Sequence, residues 1–163
     1  MLTTDWQVPK TPRDYGDAAF DGLLEYLRPR VEDHCGLRLV PTYSYFRMYK
    51  RGDALKRHRD RPACEISVTL NIGQKRLAPW PIYAQGEGEP AYGADLKPGD
   101  ALLYRGIKLF HWRDAYQEEA RVQVFLHYVD RDGPHADQKF DGRPSLTRLN
   151  TGAADQGNQE AWR

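Results

Sequence analysis

Tyr43-Ser44-Tyr45-Phe46-Arg47-Met48-Tyr49-Lys50, closed by Arg51-Gly52-Asp53, is the stretch from which the rest of the chain is read. Aromatic residues recur at every second position, and successive side chains of an extended segment point to opposite faces. Tyr43, Tyr45, Arg47 and Tyr49 therefore share one face of a strand that the Gly-Asp turn ends. Similar runs follow. Cys64–Ile72 ends at Gly73, and Trp80–Ala84 is followed by Gly86-Glu87-Gly88-Glu89-Pro90. Ala101–Tyr104 comes after the turn Pro98-Gly99-Asp100, and Arg121–Val129 is the longest and cleanest. Short strands separated by turn residues from Leu37 to Val129 predict an all-β sandwich or barrel.

Upstream the period changes. Phe20, Leu23, Leu24, Leu27 and Val31 fall on one helical stripe between Asp17 and Cys35. Asp14 or Asp17 can cap its start and Gly36 can end it. Pro29 lies inside the pattern, which predicts a kink or two short helices packed on one sheet. Residues 1–13, with Pro9 and Pro12, read as an arm or an edge strand. After Asp130 apolar side chains become sparse. The expected organisation is one domain over 1–130 with its core over about 37–130, and a polar tail over 131–163 that is disordered, a lid or a dimer contact. No internal repeat is visible.

The 163 residues suit one domain with its own core. Lys plus Arg is 24 and Asp plus Glu 23, a balance that gives no reason to expect a nucleic-acid or membrane-surface partner. Mean hydropathy is strongly negative, and no apolar run approaches the roughly 20 residues that span a bilayer. The start, Met1-Leu2-Thr3-Thr4-Asp5-Trp6, lacks the basic-then-apolar pattern of a secretory signal. Cys35 and Cys64 belong to no CxxC and are expected to be reduced thiols of a cytoplasmic protein, with a single disulfide as the alternative.

Three places carry chemistry. In His58-Arg59-Asp60 an imidazole and a carboxylate at i and i+2 of an extended segment face the same way and can converge on one metal ion; a surface ion pair is the plain alternative. His111, in Leu109-Phe110-His111-Trp112, would complete two imidazoles and one carboxylate on one face of an ion; otherwise it is a packed core histidine. Such a facial triad leaves open positions and typifies non-haem Fe(II) sites that activate O2. Arg121 opens the last strand. Burying it needs an anion, such as the far carboxylate of a dicarboxylate, unless it reaches solvent at the strand end.

With these residues in order, the chain resembles the 2-oxoglutarate/Fe(II)-dependent dioxygenases, in particular their prolyl-hydroxylase-like branch. The resemblance runs through Tyr43–Tyr49, Gly52-Asp53, His58-Arg59-Asp60, the strand Glu65–Asn71, the turn Pro98-Gly99-Asp100, His111 and Arg121. It implies a double-stranded β-helix, the jelly-roll or cupin-like fold. It also implies Fe(II) on His58, Asp60 and His111, with 2-oxoglutarate as co-substrate held through its far carboxylate by Arg121. Tyr49 inherits a hydrogen bond to the co-substrate. Thr69 stands where relatives of the prolyl-hydroxylase type carry a Tyr that helps hold the far carboxylate.

On the last strand Arg121, Gln123, Phe125 and His127 share a face, so Phe125 and His127 are expected to look into the pocket. Arg47, Tyr45, His127 and Trp112 are the candidates for substrate contact. Arg47 either binds a substrate carboxylate or pairs with an acid such as Glu65 or Asp114, and Trp80 and Trp112 either wall the site or fill the core. The reaction implied is hydroxylation of an aliphatic C–H bond in a small molecule or peptidyl residue, using O2 and releasing succinate and CO2. The carboxylate of Asp60 fills the position that halogenating relatives leave to chloride, which favours hydroxylation. Two other classes stay open: a non-catalytic metal and 2-oxoglutarate sensor, and a cupin-type metal enzyme independent of 2-oxoglutarate.

Overall fold

The computed structural model describes residues 7–75 and 78–146. In chain order the elements are strand β1 (Arg13–Tyr15), helix α1 (Ala18–Cys35) and strands β2 (Leu39–Lys50), β3 (Leu55–His58), β4 (Ile66–Gln74), β5 (Ile82–Gln85), β6 (Tyr92–Ala94), β7 (Ala101–Tyr104), β8 (Phe110–Arg113) and β9 (Ala120–Asp130). Short 3-10 turns occupy Pro62–Cys64 and Ala136–Gly142. Among the described residues no helix is long and apolar enough to cross a membrane.

The strands with the clearest alternation become the centre of the larger sheet. Its order is β1-β2-β9-β4-β7, and the smaller sheet runs β3-β8-β5-β6, with antiparallel pairing throughout. From β2 to β9 the chain passes back and forth between the two sheets, which is the winding of a jelly roll, or double-stranded β-helix. The mainly β fold expected from the sequence is the fold observed.

Register fixes which side chains meet. Tyr43, Tyr45, Arg47 and Tyr49 lie opposite His127, Phe125, Gln123 and Arg121, and Ser67, Thr69 and Asn71 lie on the far side of β9 from them. All of these share the inner face, toward the smaller sheet. The outer face carries Ile66, Val68, Val124, Leu126 and Tyr128, and helix α1 covers it with Leu24 and Val31. Each fully buried Leu there contributes roughly 1.5–3 kcal/mol. The principal apolar core is thus sheet against helix. The space between the sheets is left for polar and aromatic side chains.

Helix α1 begins where expected. Asp17 Oδ1 accepts the Ala19 and Phe20 N–H groups at 2.9 and 3.4 Å, and Gly36, at φ 69°, donates its N–H to the Glu32 carbonyl at 2.8 Å. Only a residue without Cβ takes that left-handed conformation at low cost. One continuous helix runs through Pro29, where a kink or two short helices were expected. Asp21 on its buried side accepts the Ser44 hydroxyl at 2.6 Å, and Tyr128 donates to the Leu24 carbonyl at 2.7 Å, so polar pins fix the helix on the sheet.

Of the tail expected over 131–163, residues 147–163 lie outside the described residues. Residues 131–146 pack on the domain. Phe140 and Leu146 join the core under α1, and Asp141 accepts two bonds from Arg61 at 2.6 and 2.7 Å and one from the Tyr15 hydroxyl at 2.5 Å. Two apolar side chains and one carboxylate thus anchor this part of the tail on the domain. Both cysteines are free thiols, as expected.

Candidate metal centre and anion pocket

Strand β3 delivers His58, the loop after it delivers Asp60, and β8 delivers His111 directly opposite His58 in the register. Nε2 of His58 and Nε2 of His111 lie 3.4 and 3.3 Å from the same Asp60 oxygen, Oδ1. The other ring nitrogens are both spoken for. His58 Nδ1 is 2.7 Å from the Lys56 carbonyl and His111 Nδ1 is 3.0 Å from the Leu109 carbonyl. A carbonyl can only accept, so each Nδ1 carries a proton and each Nε2 faces Asp60, bare when the ring is neutral and donating to the carboxylate when it is charged. Backbone bonds thereby fix both tautomers in the form a metal ligand requires.

Burial opposes charge on Asp60 and on His58, yet the contacts between them prevail. Hydrogen bonds from His111 and His58 hold the Asp60 carboxyl well below the usual carboxylate range, and His58 is shifted upward by Asp60 and the Lys56 carbonyl. Asp60 is itself tightly seated. Its N–H donates to the Gly106 carbonyl at 3.0 Å, and a Cβ at Gly106 would overlap Asp60 Oδ2, the Cys64 carbonyl oxygen and Ser67 Oγ.

A second cluster among the described residues, Asp60, Cys64 and His127, also has ligand atoms close together. It is the poorer site. Burial pushes the Cys64 thiol well up, so it stays a neutral thiol bonded to the Tyr43 hydroxyl at 3.0 Å, and a thiolate is what a metal needs. His127 Nδ1 is engaged with Ser67 Oγ at 2.9 Å, and its ring packs on Tyr43. His127 thus sits in the wall behind Asp60. That corrects the expectation that it faces a substrate, and its physical cause is the close packing of β2, β4 and β9 at this end.

Deeper between the sheets lies Arg121, fully buried. Nε donates to Gln123 Oε1 at 3.2 Å and Nη2 to the Leu96 carbonyl at 2.9 Å, while Nη1 is buried with no partner among the described residues. Thr69 does not stand beside the guanidinium as an independent donor. Its Oγ1 accepts Gln123 Nε2 at 2.7 Å, so it braces Arg121 through Gln123. Tyr49, also fully buried, lies opposite Arg121, and its hydroxyl accepts from Arg47 Nη1 at 3.4 Å. Arg47 Nη2 reaches the Tyr45 hydroxyl at 3.0 Å and Gln7 Oε1 at 3.2 Å. Glu65, one acid offered for Arg47, accepts the Asp130 N–H at 3.0 Å. Phe125 does look inward, packing with Tyr45 at a ring separation of 5.9 Å.

The two tryptophans divide. Trp80 faces inward and packs in the core beside the arginines: its indole meets Tyr49 and Tyr116 at 4.8 and 4.6 Å and lies 4.6 and 5.4 Å from the guanidinium carbons of Arg113 and Arg121. Trp112 points the other way. It stacks on Tyr83 at 5.4 Å on the outer side of the smaller sheet, because it neighbours His111 in a strand and so takes the opposite face. A substrate role for Trp112 is thereby corrected.

Sequence reading missed Arg113. It is 1% exposed, and burial lowers its guanidinium to about 10. The same i, i+2 rule that paired His58 with Asp60 puts Arg113 on the face of His111, and it was the available signal. Gly106 and Ser67, which seat Asp60, carry no motif at all.

Compared with solved structures, the chain is similar to an oxidoreductase of the 2OG-Fe(II) oxygenase family from Burkholderia pseudomallei, with a TM-score of 0.60, 14% identity and coverage of 67% of this chain and 56% of that one. The chain thus spans little more than half of that protein. It is similar to a Pseudomonas putida prolyl-4-hydroxylase at TM-score 0.62, 13% identity and coverage of 80% and 78%. A non-haem α-ketoglutarate-dependent epimerase from nogalamycin biosynthesis gives TM-score 0.64, 12% identity and coverage of 95% and 73%. At these identities what is shared is the fold, and it is the fold of 2OG-Fe(II) oxygenases, prolyl hydroxylases among them. No family model matches the chain, and no curated protein matches it in sequence.

Proposed function

We propose that this protein is an Fe(II)- and 2-oxoglutarate-dependent dioxygenase that hydroxylates an aliphatic C–H bond of a small molecule or peptidyl residue, releasing succinate and CO2. The observation that carries this reading is the pair of Nε2 atoms 3.4 and 3.3 Å from one Asp60 oxygen, with a buried Arg121 nitrogen in the same interior that has no partner among the described residues. Two imidazoles and one carboxylate are the donor set that suits non-haem Fe(II), and they leave positions for co-substrate and O2. The orphaned Arg121 donor suits the far carboxylate of 2-oxoglutarate, which would satisfy it by a charge-assisted bond.

In this reading His58, Asp60 and His111 hold the metal and Arg121 anchors the co-substrate, with Tyr49 and Thr69 beside it. When bound, Fe(II) with 2-oxoglutarate and O2 supplies the oxidising power for C–H cleavage. The chain supplies placement. The Lys56 and Leu109 carbonyls hold the imidazole protons on Nδ1, Gln123 and Leu96 aim Arg121, and Trp80 closes the anion end against water. Arg47 and Tyr45 are the residues offered for substrate contact, since Arg47 is buried between two phenols on the inner face.

The likeness in fold to a prolyl-4-hydroxylase supports a peptidyl substrate as one arm of the test. Protein loaded with Fe(II) is supplied with 2-oxoglutarate and O2 and scored for succinate, and a panel of amino acids, other small acids and prolyl peptides is scored for gain of one oxygen atom. Asp60→Ala is expected to abolish both signals. Succinate formation undiminished in Asp60→Ala, or product formed without 2-oxoglutarate, would overturn the proposal; the second result favours a cupin-type metal enzyme.

A further inference from the structure

Arg113 stands two residues beyond His111 on the inward face of β8, and nothing in the triad or in the anchoring by Arg121 accounts for it. Its Nη1 donates to the Trp80 carbonyl at 2.9 Å, but Nε and Nη2 are buried without a partner. Arg121 adds a third such nitrogen, Nη1. Among the described residues neither arginine has an ion-pair partner. The acid that acts on both from a distance, Asp95, is engaged by the Trp80 N–H at 2.9 Å.

Two buried cations that repel each other and leave three nitrogens unpaired are an unfavourable arrangement for an empty interior. Partly buried Arg61, by contrast, is met by both oxygens of Asp141 at 2.6 and 2.7 Å. The face of Trp80, which lies 4.6 Å from the Arg113 guanidinium carbon and 5.4 Å from that of Arg121, offsets part of the charge but accepts no conventional hydrogen bond. A ligand carboxylate would supply what is missing, since its two oxygens offer about four lone-pair sites and full negative charge.

The geometry points to Arg113 as a second anion-binding side chain, sharing the far carboxylate of the 2-keto dicarboxylate with Arg121 from the opposite sheet. This rests on the function proposed above. The pocket would then clamp the anionic tail between two sheets, so that ligand binding ties them together, and it would select strongly for a charged tail over a neutral one.

The test is calorimetric titration of Fe(II)-loaded protein without O2, using 2-oxoglutarate and, separately, 2-oxovalerate, which keeps the chelating keto acid and lacks the far carboxylate. Arg113→Met is expected to weaken 2-oxoglutarate by roughly 10–100-fold and to leave 2-oxovalerate unchanged. Arg113→Lys, which keeps the charge but loses the fork, is expected to lie between wild type and Met, and it serves if the Met variant fails to fold. Equal weakening of both ligands assigns Arg113 a merely structural role and overturns the inference, as does no weakening of either. If the wild type binds no 2-oxoglutarate, the proposed function fails and the inference falls with it; wild-type binding that Arg113→Met leaves intact removes Arg113 alone.

Discussion

Gly106 shows how narrowly single residues set the candidate metal centre. Its carbonyl accepts the Asp60 N–H, and the place a Cβ would take is already held by Asp60 Oδ2, the Cys64 carbonyl and Ser67 Oγ. Two of these three are a ligand carboxylate oxygen and a backbone atom, so relief requires moving Asp60 itself. Gly106→Ala is therefore expected to lower metal affinity by roughly 10–100-fold, as losses around metal ligands do, measured by competition with a chromophoric chelator. Affinity equal to wild type would mean that the loop yields without disturbing Asp60. Here sequence and structure part company. His58, Asp60, His111 and Arg121 were named as candidates from residue type, spacing and the family resemblance they carry together. Gly106 and Arg113 were not, because an overlap or an unpaired donor exists only once distant segments are brought together.

At the scale of elements, helix α1 was legible in its stripe, its cap and its terminator; of the two alternatives at Pro29, a kink or two short helices, the second is not what forms. A proline inside a helix lacks the N–H for the carbonyl four residues back and crowds it, which argues for a break. The break does not occur, because Leu24 before it and Val31 after it are both held in the core against β4 and β9. Tertiary burial outweighs a local penalty. Pro29 is exposed, so Pro29→Ala restores the missing bond without touching the core. It is expected to raise stability by roughly 1–3 kcal/mol in urea denaturation, with ligand affinity unchanged. A destabilised variant would show that the proline acts mainly by restricting the unfolded chain. Among the strands, β2, β4, β5, β7 and β9 were foreseen within a few residues, whereas β3, β6 and β8 were not. Each of the latter has three or four residues, and β3 and β8 pair with each other far apart in sequence, so too little local pattern marks them.

At the scale of the whole molecule, the two sheets enclose a polar interior, and its response to acid follows from His127. Burial lowers this imidazole from 6.5 to about 4. An unfolded chain takes up the proton near the ordinary value, before the folded one does. Stability is therefore full above pH 6.5 and falls as pH drops toward 4, by up to about 1.4 kcal/mol per pH unit from this group alone. Urea denaturation across that range should show a shallower decline in His127→Gln than in wild type. Identical slopes would mean that His127 titrates alike in both states.

Residue types and spacing alone determined the alternating strands, the capped helix and the His-x-Asp pair, because each depends on neighbours close along the chain. Only the tertiary structure decided that Trp112 faces outward and Trp80 inward, that His127 backs Asp60, that residues 131–146 pack on the domain and that Arg113 joins Arg121. These depend on which faces of two sheets are pressed together. The number of residues between two side chains does not say whether the fold will seal both of them into the same dry interior, and burial is what turns an ordinary arginine into a cation in need of a ligand.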